Sequence, residues 1–154
     1  MPLLKISKKQ SAGEYCWSVN LIDDGGKDIL RSTEPMVKGI ALSTAKTMKY
    51  KGPDAPFIEV DALDPSRPAW TAEKIDGRWL VRFSLIGETK FDLLDLPYKL
   101  EDDDKQDIVI IKDAVGYIKS KLGKADLLWQ PPEADPAYME KESDRTPIEG
   151  HPGS

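Results

Sequence analysis

The chain of 154 residues is poor in the two residue types that most often carry chemistry, with one cysteine, Cys16, and one histidine, His151. A lone cysteine excludes an intrachain disulfide and a zinc site built from several thiolates of one chain. A catalytic cysteine needs a base beside it, and the only histidine stands near the other end of the sequence. We therefore interpret Cys16 as a strand residue without a catalytic role.

Long apolar runs are missing too. No segment approaches the roughly 18 consecutive apolar residues that a membrane-spanning helix needs, and the opening residues do not have the pattern of a secretory signal. The formal net charge is −5 at pH 7, which opposes general attraction to nucleic acid or to anionic membranes. We expect a soluble cytoplasmic protein that does not bind membranes.

Motifs that hold phosphate groups or metal ions are also absent. Gly25-Gly26 and Gly52-Pro53 do not open a helix with the glycine pattern of a phosphate-binding loop, so turn formation explains them. The acidic run over 101–104 lacks the spaced oxygen ligands and the central glycine of a calcium loop, and helix capping explains it. The sequence thus predicts no enzymatic activity, no metal site and no cofactor.

The positive signal is a pattern repeated around two tryptophans, Trp17 and Trp79. Each stands two places before a valine in a run of alternating residues, and each run leads into a turn, a further strand-like run and an amphipathic helix. A unit of about 60 residues buries too little surface to be robust alone. We therefore expect the two copies to complete one core, with both tryptophans buried on the helix-facing side of one sheet.

The first copy is predicted as βββαβ. Its strands are expected, in chain order, around Leu4 and Ile6, over 14–22, over 28–33 and over 57–60. The first of these should lie at a sheet edge, because its lysines discourage pairing with other molecules. A helix is predicted between Pro35 and Gly52. Its apolar stripe consists of Val37, Ile40, Ala41, Thr44, Ala45 and Met48.

The second copy repeats this order. Its strands are expected over 70–75, 79–85, 89–94 and 127–129, with a hairpin turn at Asp76-Gly77. The helix stripe is Ile108, Ile111, Val115, Ile118 and Leu122. The acidic residues over 102–104 are expected to cap the start of this helix.

The predicted fold class is α+β, with a single antiparallel sheet built from two βββαβ repeats and two helices packed on one face. One domain is expected over 1–131, with the repeats at 1–61 and 67–131 and a connection at 62–66. Residues 132–154 are acidic and contain proline, so they cannot bury enough apolar surface to offset the entropy of ordering. We expect them to form a flexible tail.

The element order, together with Gly13-Glu-Tyr-Cys-Trp-Ser-Val19, Asp24-Gly-Gly26 and Ser32-Thr-Glu34, resembles the YegP-like family of small bacterial proteins. The resemblance is best over 3–57, although Thr44-Ala45 stands where the family has a Gly-Ile pair. Over 70–129 the order and the Trp-x-Val pattern remain, but the helix sequence differs. The resemblance implies one antiparallel sheet in which the strand after each helix is exchanged between units, and it carries over no catalytic residue.

Alternation along the strands predicts a second, polar face of the sheet. If Trp17 and Trp79 face the helices, the opposite side carries a locally basic set of residues, and ordinary solvated sheet is the alternative interpretation. The candidate binding residues are Ser18, Asn20, Arg31, Arg82, Ser84 and Lys90. We hypothesise a non-catalytic interaction module that binds a protein partner or a second copy of the chain. The alternatives are nucleic-acid interaction, including inhibition of a nucleic-acid enzyme through acidic surfaces, and, third, an enzyme.

Overall fold

The computed structural model describes residues 1–8, 17–87 and 89–130. Within these ranges the chain forms an α+β fold with seven strands and two α-helices, which confirms the predicted class. In chain order the elements are β1 (Leu3–Lys8), β2 (Trp17–Ile22), β3 (Asp28–Ser32), α1 (Lys38–Lys51), β4 (Ala69–Ile75), β5 (Arg78–Ser84), β6 (Lys90–Leu93), α2 (Asp104–Lys124) and β7 (Asp126–Gln130).

The seven strands form one sheet in the order β4-β5-β6-β3-β2-β1-β7. Neighbouring strands are antiparallel except β1 and β7, which run parallel with Leu4 opposite Leu127. The sheet is therefore mixed, and the prediction of a purely antiparallel sheet is wrong. The prediction of a sheet edge at β1 is wrong for the same reason, since the chain leaves α2 and adds β7 outside it. Leu4 and Ile6 are consequently buried.

The segment after α1 does not form the strand predicted over 57–60. Phe57 makes only an isolated parallel bridge with Trp70 of β4. The Trp70 N–H donates to the Pro56 carbonyl at 2.8 Å, and the Ile58 N–H donates to the Trp70 carbonyl at 2.9 Å. Pro56 has no N–H with which to extend the ladder backwards, and the chain enters a 3-10 helix at Val60–Ala62. The pairing therefore stays one residue long.

The hydrophobic core is one cluster to which the sheet and both helices contribute. From the sheet it takes alternate residues, which define the core face and include Leu4, Ile6, Val19, Leu21, Leu30, Phe83 and Phe91. Trp17 belongs to this cluster and is 4% exposed, so its predicted burial is confirmed. Trp79 packs against the cluster but is only half-buried, because it stands beside the β4–β5 turn at the margin of the core. Trp79 thus lies on the core face as predicted, and it is less completely buried than Trp17.

Both helices follow their apolar stripes, but α1 does so over a narrower arc. In α2, Asp103 is the N-cap, and its side chain accepts hydrogen bonds from the N–H groups of Lys105 and Gln106, as capping predicts. The buried residues of α1 are Ala41, Thr44, Ala45 and Met48. Ile40 was predicted in this stripe and is exposed. It directly precedes the buried Ala41, and because each residue advances the helix by about 100°, its side chain lies to one side of the buried stripe.

The predicted β4–β5 turn forms at Asp76 and Gly77, whose φ angles are 49° and 78°. Positive φ at both central residues is what a hairpin turn matched to the strand twist requires. Across the described ranges, neither helix is long and apolar enough to cross a membrane. Cys16, His151 and the predicted tail over 132–154 lie outside the described residues.

Candidate binding face

The side of the sheet opposite the core face carries a row of polar residues, one from each of six neighbouring strands. Residues directly opposite each other on adjacent strands lie on the same face. From β1 to β4, the paired residues are Lys5, Asn20, Arg31, Asp92, Arg82 and Thr71. We call this set the polar row, and the side of the sheet that carries it the second face.

The structure places every residue that the sequence singled out on the second face: Ser18, Asn20, Arg31, Arg82, Ser84 and Lys90. Three of them belong to the polar row. Ser18 precedes Asn20 by two positions along β2, and Ser84 lies directly opposite Lys90 in the β5–β6 ladder. Alternation within each strand was therefore enough to identify the face, while the pairing of strands determines which residues are neighbours.

The two arginines of the polar row flank one carboxylate, Asp92. Arg82 is fixed by it, because its Nε donates to Asp92 Oδ1 at 2.6 Å and its Nη2 donates to Asp92 Oδ2 at 3.3 Å. The Arg31 Nη2 instead donates to Asp28 Oδ2 at 3.3 Å, and the Arg31 side chain is 45% exposed. One guanidinium is thus locked in place by Asp92, and the other remains largely accessible beside it.

The two serines do not present their hydroxyl groups to solvent, as a binding surface would require. Ser18 is 4% exposed and Ser84 is 6% exposed. Among the described residues, the Ser84 Oγ and the Asn20 Oδ1 are buried without a hydrogen-bond partner. A buried polar group left unpaired costs about 1–3 kcal/mol. The second face therefore has unsatisfied hydrogen-bonding capacity beneath its charged side chains.

Aromatic residues are segregated to the opposite side of the sheet. The described aromatic side chains of the strands lie on the core face, and they are Trp17, Trp70, Trp79, Phe83 and Phe91. Sheets that bind single-stranded nucleic acid stack bases on aromatic side chains of their open face. In the part of the chain that the structure describes, the second face offers no such platform.

Sequence reasoning missed three members of the polar row, Lys5, Thr71 and Asp92. The alternation of β1 and β4 contains a signal for the first two. Asp92 stands two residues after Lys90, so alternation along β6 also places it on this face, but its position between two arginines depends on β6 pairing with both β3 and β5. The row can form ion pairs and hydrogen bonds with a bound partner. Within the described ranges, no three His, Cys, Asp or Glu residues are grouped so that they could hold a metal ion.

Comparison of the chain with protein-family models, with curated proteins and with solved structures finds no match.

Proposed function

We propose that the chain is a non-catalytic protein-interaction module of the YegP-like type, which binds a protein partner through the second face of its sheet. The observation that carries this proposal is the centre of the polar row. There Arg82 is held in place by Asp92, while Arg31 stays exposed on the neighbouring side. Guanidinium groups bind carboxylates through two parallel hydrogen bonds. An accessible guanidinium on a rigid sheet is therefore suited to a partner's Asp or Glu side chain.

The charge of this region supports an acidic partner surface. Four cations lie on this part of the second face, namely Lys5, Arg31, Arg82 and Lys90, and they outnumber the carboxylates of Asp92 and Asp28, to which the two arginines are bound. The whole chain carries a formal charge of −5, so the middle of the second face has the opposite sign to the molecule. Such a patch orients an approaching acidic surface toward itself and discourages contact elsewhere.

The sheet provides a stiff support for these side chains. We infer that the chain is a duplicated βββαβ unit whose two helices cover the same face, which leaves the second face free of helices. The strand order supports this inference. The first three strands of each half lie side by side, and the two groups of three join where β6 pairs with β3, so that the order of strands in one half mirrors the order in the other. The parallel pairing of β7 with β1 matches the parallel bridge from Phe57 to Trp70. Residues of both helices also share one core cluster.

Site-specific crosslinking tests the proposed function. A photoreactive amino acid at position 90 is expected to capture a partner protein in a lysate of the source cells. The same group at position 51, which is exposed at the end of α1, is the matched control and should not capture that protein. With the partner purified, Arg31→Glu should weaken binding about tenfold through charge reversal, whereas Lys51→Glu should leave the affinity unchanged.

The outcomes separate the hypotheses. Equal weakening by Arg31→Glu and Lys51→Glu would show that the second face is not the binding surface. Nuclease-sensitive material crosslinked from position 90, in place of protein, would instead support the nucleic-acid alternative. If added salt fails to weaken the complex, ion pairs do not hold it, since exposed charges are screened within about 8–10 Å at physiological salt.

A further inference from the structure

A cleft separate from the second face lies between the β4–β5 hairpin and the segment that leads into α2. Its lining residues are Lys74, Gly77, Arg78, Trp79, Leu96, Leu100, Asp102 and Asp107. The volume of the cleft is about 370 Å³, which falls in the range of about 300–1,000 Å³ that is typical of ligand sites. The segment over 97–101, which lengthens the second copy relative to the first, contributes one wall.

One side of this cleft is aromatic and apolar. Trp79 is half-buried there, and Leu96 and Leu100 pack against the core beside it. The Trp79 indole N–H is buried without a hydrogen-bond partner among the described residues. A buried tryptophan N–H usually has an acceptor. The Trp79 ring and the two leucines therefore form the apolar wall of the cleft.

The other side is acidic and already holds a cation. The Lys74 Nζ lies 5.9 Å from the centroid of the Trp79 ring and 2.7 Å from Asp104 Oδ1. The hydrogen bond to Asp104 raises the pKa of Lys74, and the charges of Asp104, Asp102 and Asp107 raise it further. An ammonium group at this position is therefore stabilised both by the ring face and by several carboxylates.

Acidic groups also outnumber basic ones around the cleft. Asp102 and Asp107 line it directly, and Asp104 lies at its margin in contact with Lys74. Arg78 is the second cation of the lining and has no ion pair among the described residues. The balance of charge disfavours an anionic ligand, and the aromatic wall favours a cation with an apolar stem.

We propose that this cleft binds a lysine or arginine side chain from a basic segment of a partner protein, with the cation over the Trp79 ring and close to Asp102. The intramolecular Lys74 occupies the same position in the free chain, and the incoming side chain displaces it. The site is independent of the second face, which is suited to acidic groups. A partner could engage the cleft whether or not the second face binds anything.

Binding of short peptides to the full chain, monitored by NMR, tests this proposal. The probes are two amidated nonapeptides, one with three lysines separated by glycines and one with glutamates in the same places. The indole N–H resonance of Trp79 is identified by its loss in Trp79→Phe. The resonance of Trp70 is the internal reference, because that side chain is buried and its Nε1 donates to the Gly52 carbonyl at 2.9 Å. The lysine peptide should shift the Trp79 resonance and leave Trp70 in place.

Three variants make the test specific. Asp102→Asn should weaken binding of the lysine peptide about twofold to fivefold, as expected for one exposed ion pair. Asn tolerates the positive φ of 63° at this position. Asp113→Asn, an exposed α2 residue outside the cleft, removes the same charge and should have little effect. Lys74→Met should strengthen binding, because it removes the resident cation.

Several results would overturn the proposal. The glutamate peptide could shift the Trp79 resonance as strongly as the lysine peptide, or the lysine peptide could fail to shift it at all. Equal weakening by Asp102→Asn and Asp113→Asn would show a general charge effect. Weaker binding by Lys74→Met would show that Lys74 is part of the site and is not displaced. None of these measurements involves Arg31 or Lys90, so failure here leaves the second face untested.

Discussion

Replacement of Gly52 by alanine is the sharpest test of how the end of α1 packs against α2. Gly52 has a φ of −58°, so its backbone conformation does not require glycine. What requires glycine is space. A Cβ at this position would overlap the Cδ2 of Leu122 and lie 3.5 Å from its Cγ and 3.8 Å from the Cζ of Phe83. Carbon atoms in good contact are about 3.5–4.0 Å apart, so Leu122 would have to move within a closed core.

The expected loss follows from two opposing effects. Overpacking a core by one methyl group costs about 1–3 kcal/mol, while Gly→Ala lowers the entropy of the unfolded chain and stabilises by about 0.4–1 kcal/mol. We expect Gly52→Ala to reduce the free energy of unfolding by about 1–2 kcal/mol. Gly116→Ala is the matched control, since its Cβ would meet nothing within 4 Å and it lies in the interior of α2. It should stabilise the protein by up to about 1 kcal/mol.

A double-mutant cycle identifies the cause. Leu122→Ala alone should cost about 2–5 kcal/mol through the cavity that it leaves. In that background Gly52→Ala should become neutral or stabilising, because its methyl group enters the vacated space, which gives a coupling energy of about 1–3 kcal/mol. Urea unfolding followed by far-UV circular dichroism supplies the values, with the slope m unchanged. If Gly52→Ala matches Gly116→Ala in the native background, the packing argument is wrong.

Three further predictions concern the core, one ion pair and the dependence of each half on the other. Trp17→Ala should cost about 3–5 kcal/mol, and Trp79→Ala should cost less because its side chain is less completely buried; urea unfolding measures both. The hydrogen bond from Lys27 lowers the pKa of Asp95, so Lys27→Met should return that pKa toward its ordinary value in an NMR titration. Because the folded-state pKa lies below the unfolded one, the ion pair stabilises the fold above the unfolded pKa. This stabilisation is lost as pH falls through the folded pKa. A fragment over 1–61 lacks both β7 and β4 and should not give a dispersed NMR spectrum.

Each of these predictions has a result that would contradict it. Equal losses for Trp17→Ala and Trp79→Ala would show that the margin of the core is as tightly packed as its centre. An unchanged pKa of Asp95 in Lys27→Met would show that the ion pair is not formed in solution. A stable, monomeric fragment over 1–61 would contradict the idea that one core depends on both halves.

The sequence predicted local structure well where one short-range signal sufficed. The stripe of α2, its Asp103 cap and the Asp76-Gly77 turn all depend on residues within a few positions of each other, and each forms as expected. The strand predicted over 57–60 does not form. Residue propensity identified a run suited to a strand, but it did not identify a neighbouring strand with which that run could pair. Only Phe57 reaches β4, and β-propensity reflects packing against neighbours more than a backbone preference.

Features that depend on distant pairing could not be predicted from the pattern of any one strand. The addition of the strand after α2 to the first half was an expectation of the resemblance alone, and its parallel direction was not expected. The place of β1 inside the sheet requires β7, from the far end of the described chain, to lie parallel beside it. The same limit applies to the candidate site. Alternation placed Arg31 and Arg82 on one face, but only the pairing of β6 with both β3 and β5 puts Asp92 between them. The net charge at the centre of the face is therefore a property of the fold, and the sequence of any one strand does not contain it.

The distribution of aromatic residues limits what each surface of the molecule can recognise. Since the described strand aromatics pack on the core face, the second face can select a partner through charge, hydrogen bonds and aliphatic side chains, which include Ile75, Leu80 and Leu128. Trp79 is the exception that reaches an accessible cleft, because the margin of the core does not cover it fully. Recognition at the polar row, in the middle of the second face, should then depend strongly on salt. At the cleft, the Trp79 ring should still contribute to the binding affinity when salt screens the carboxylates of the cleft.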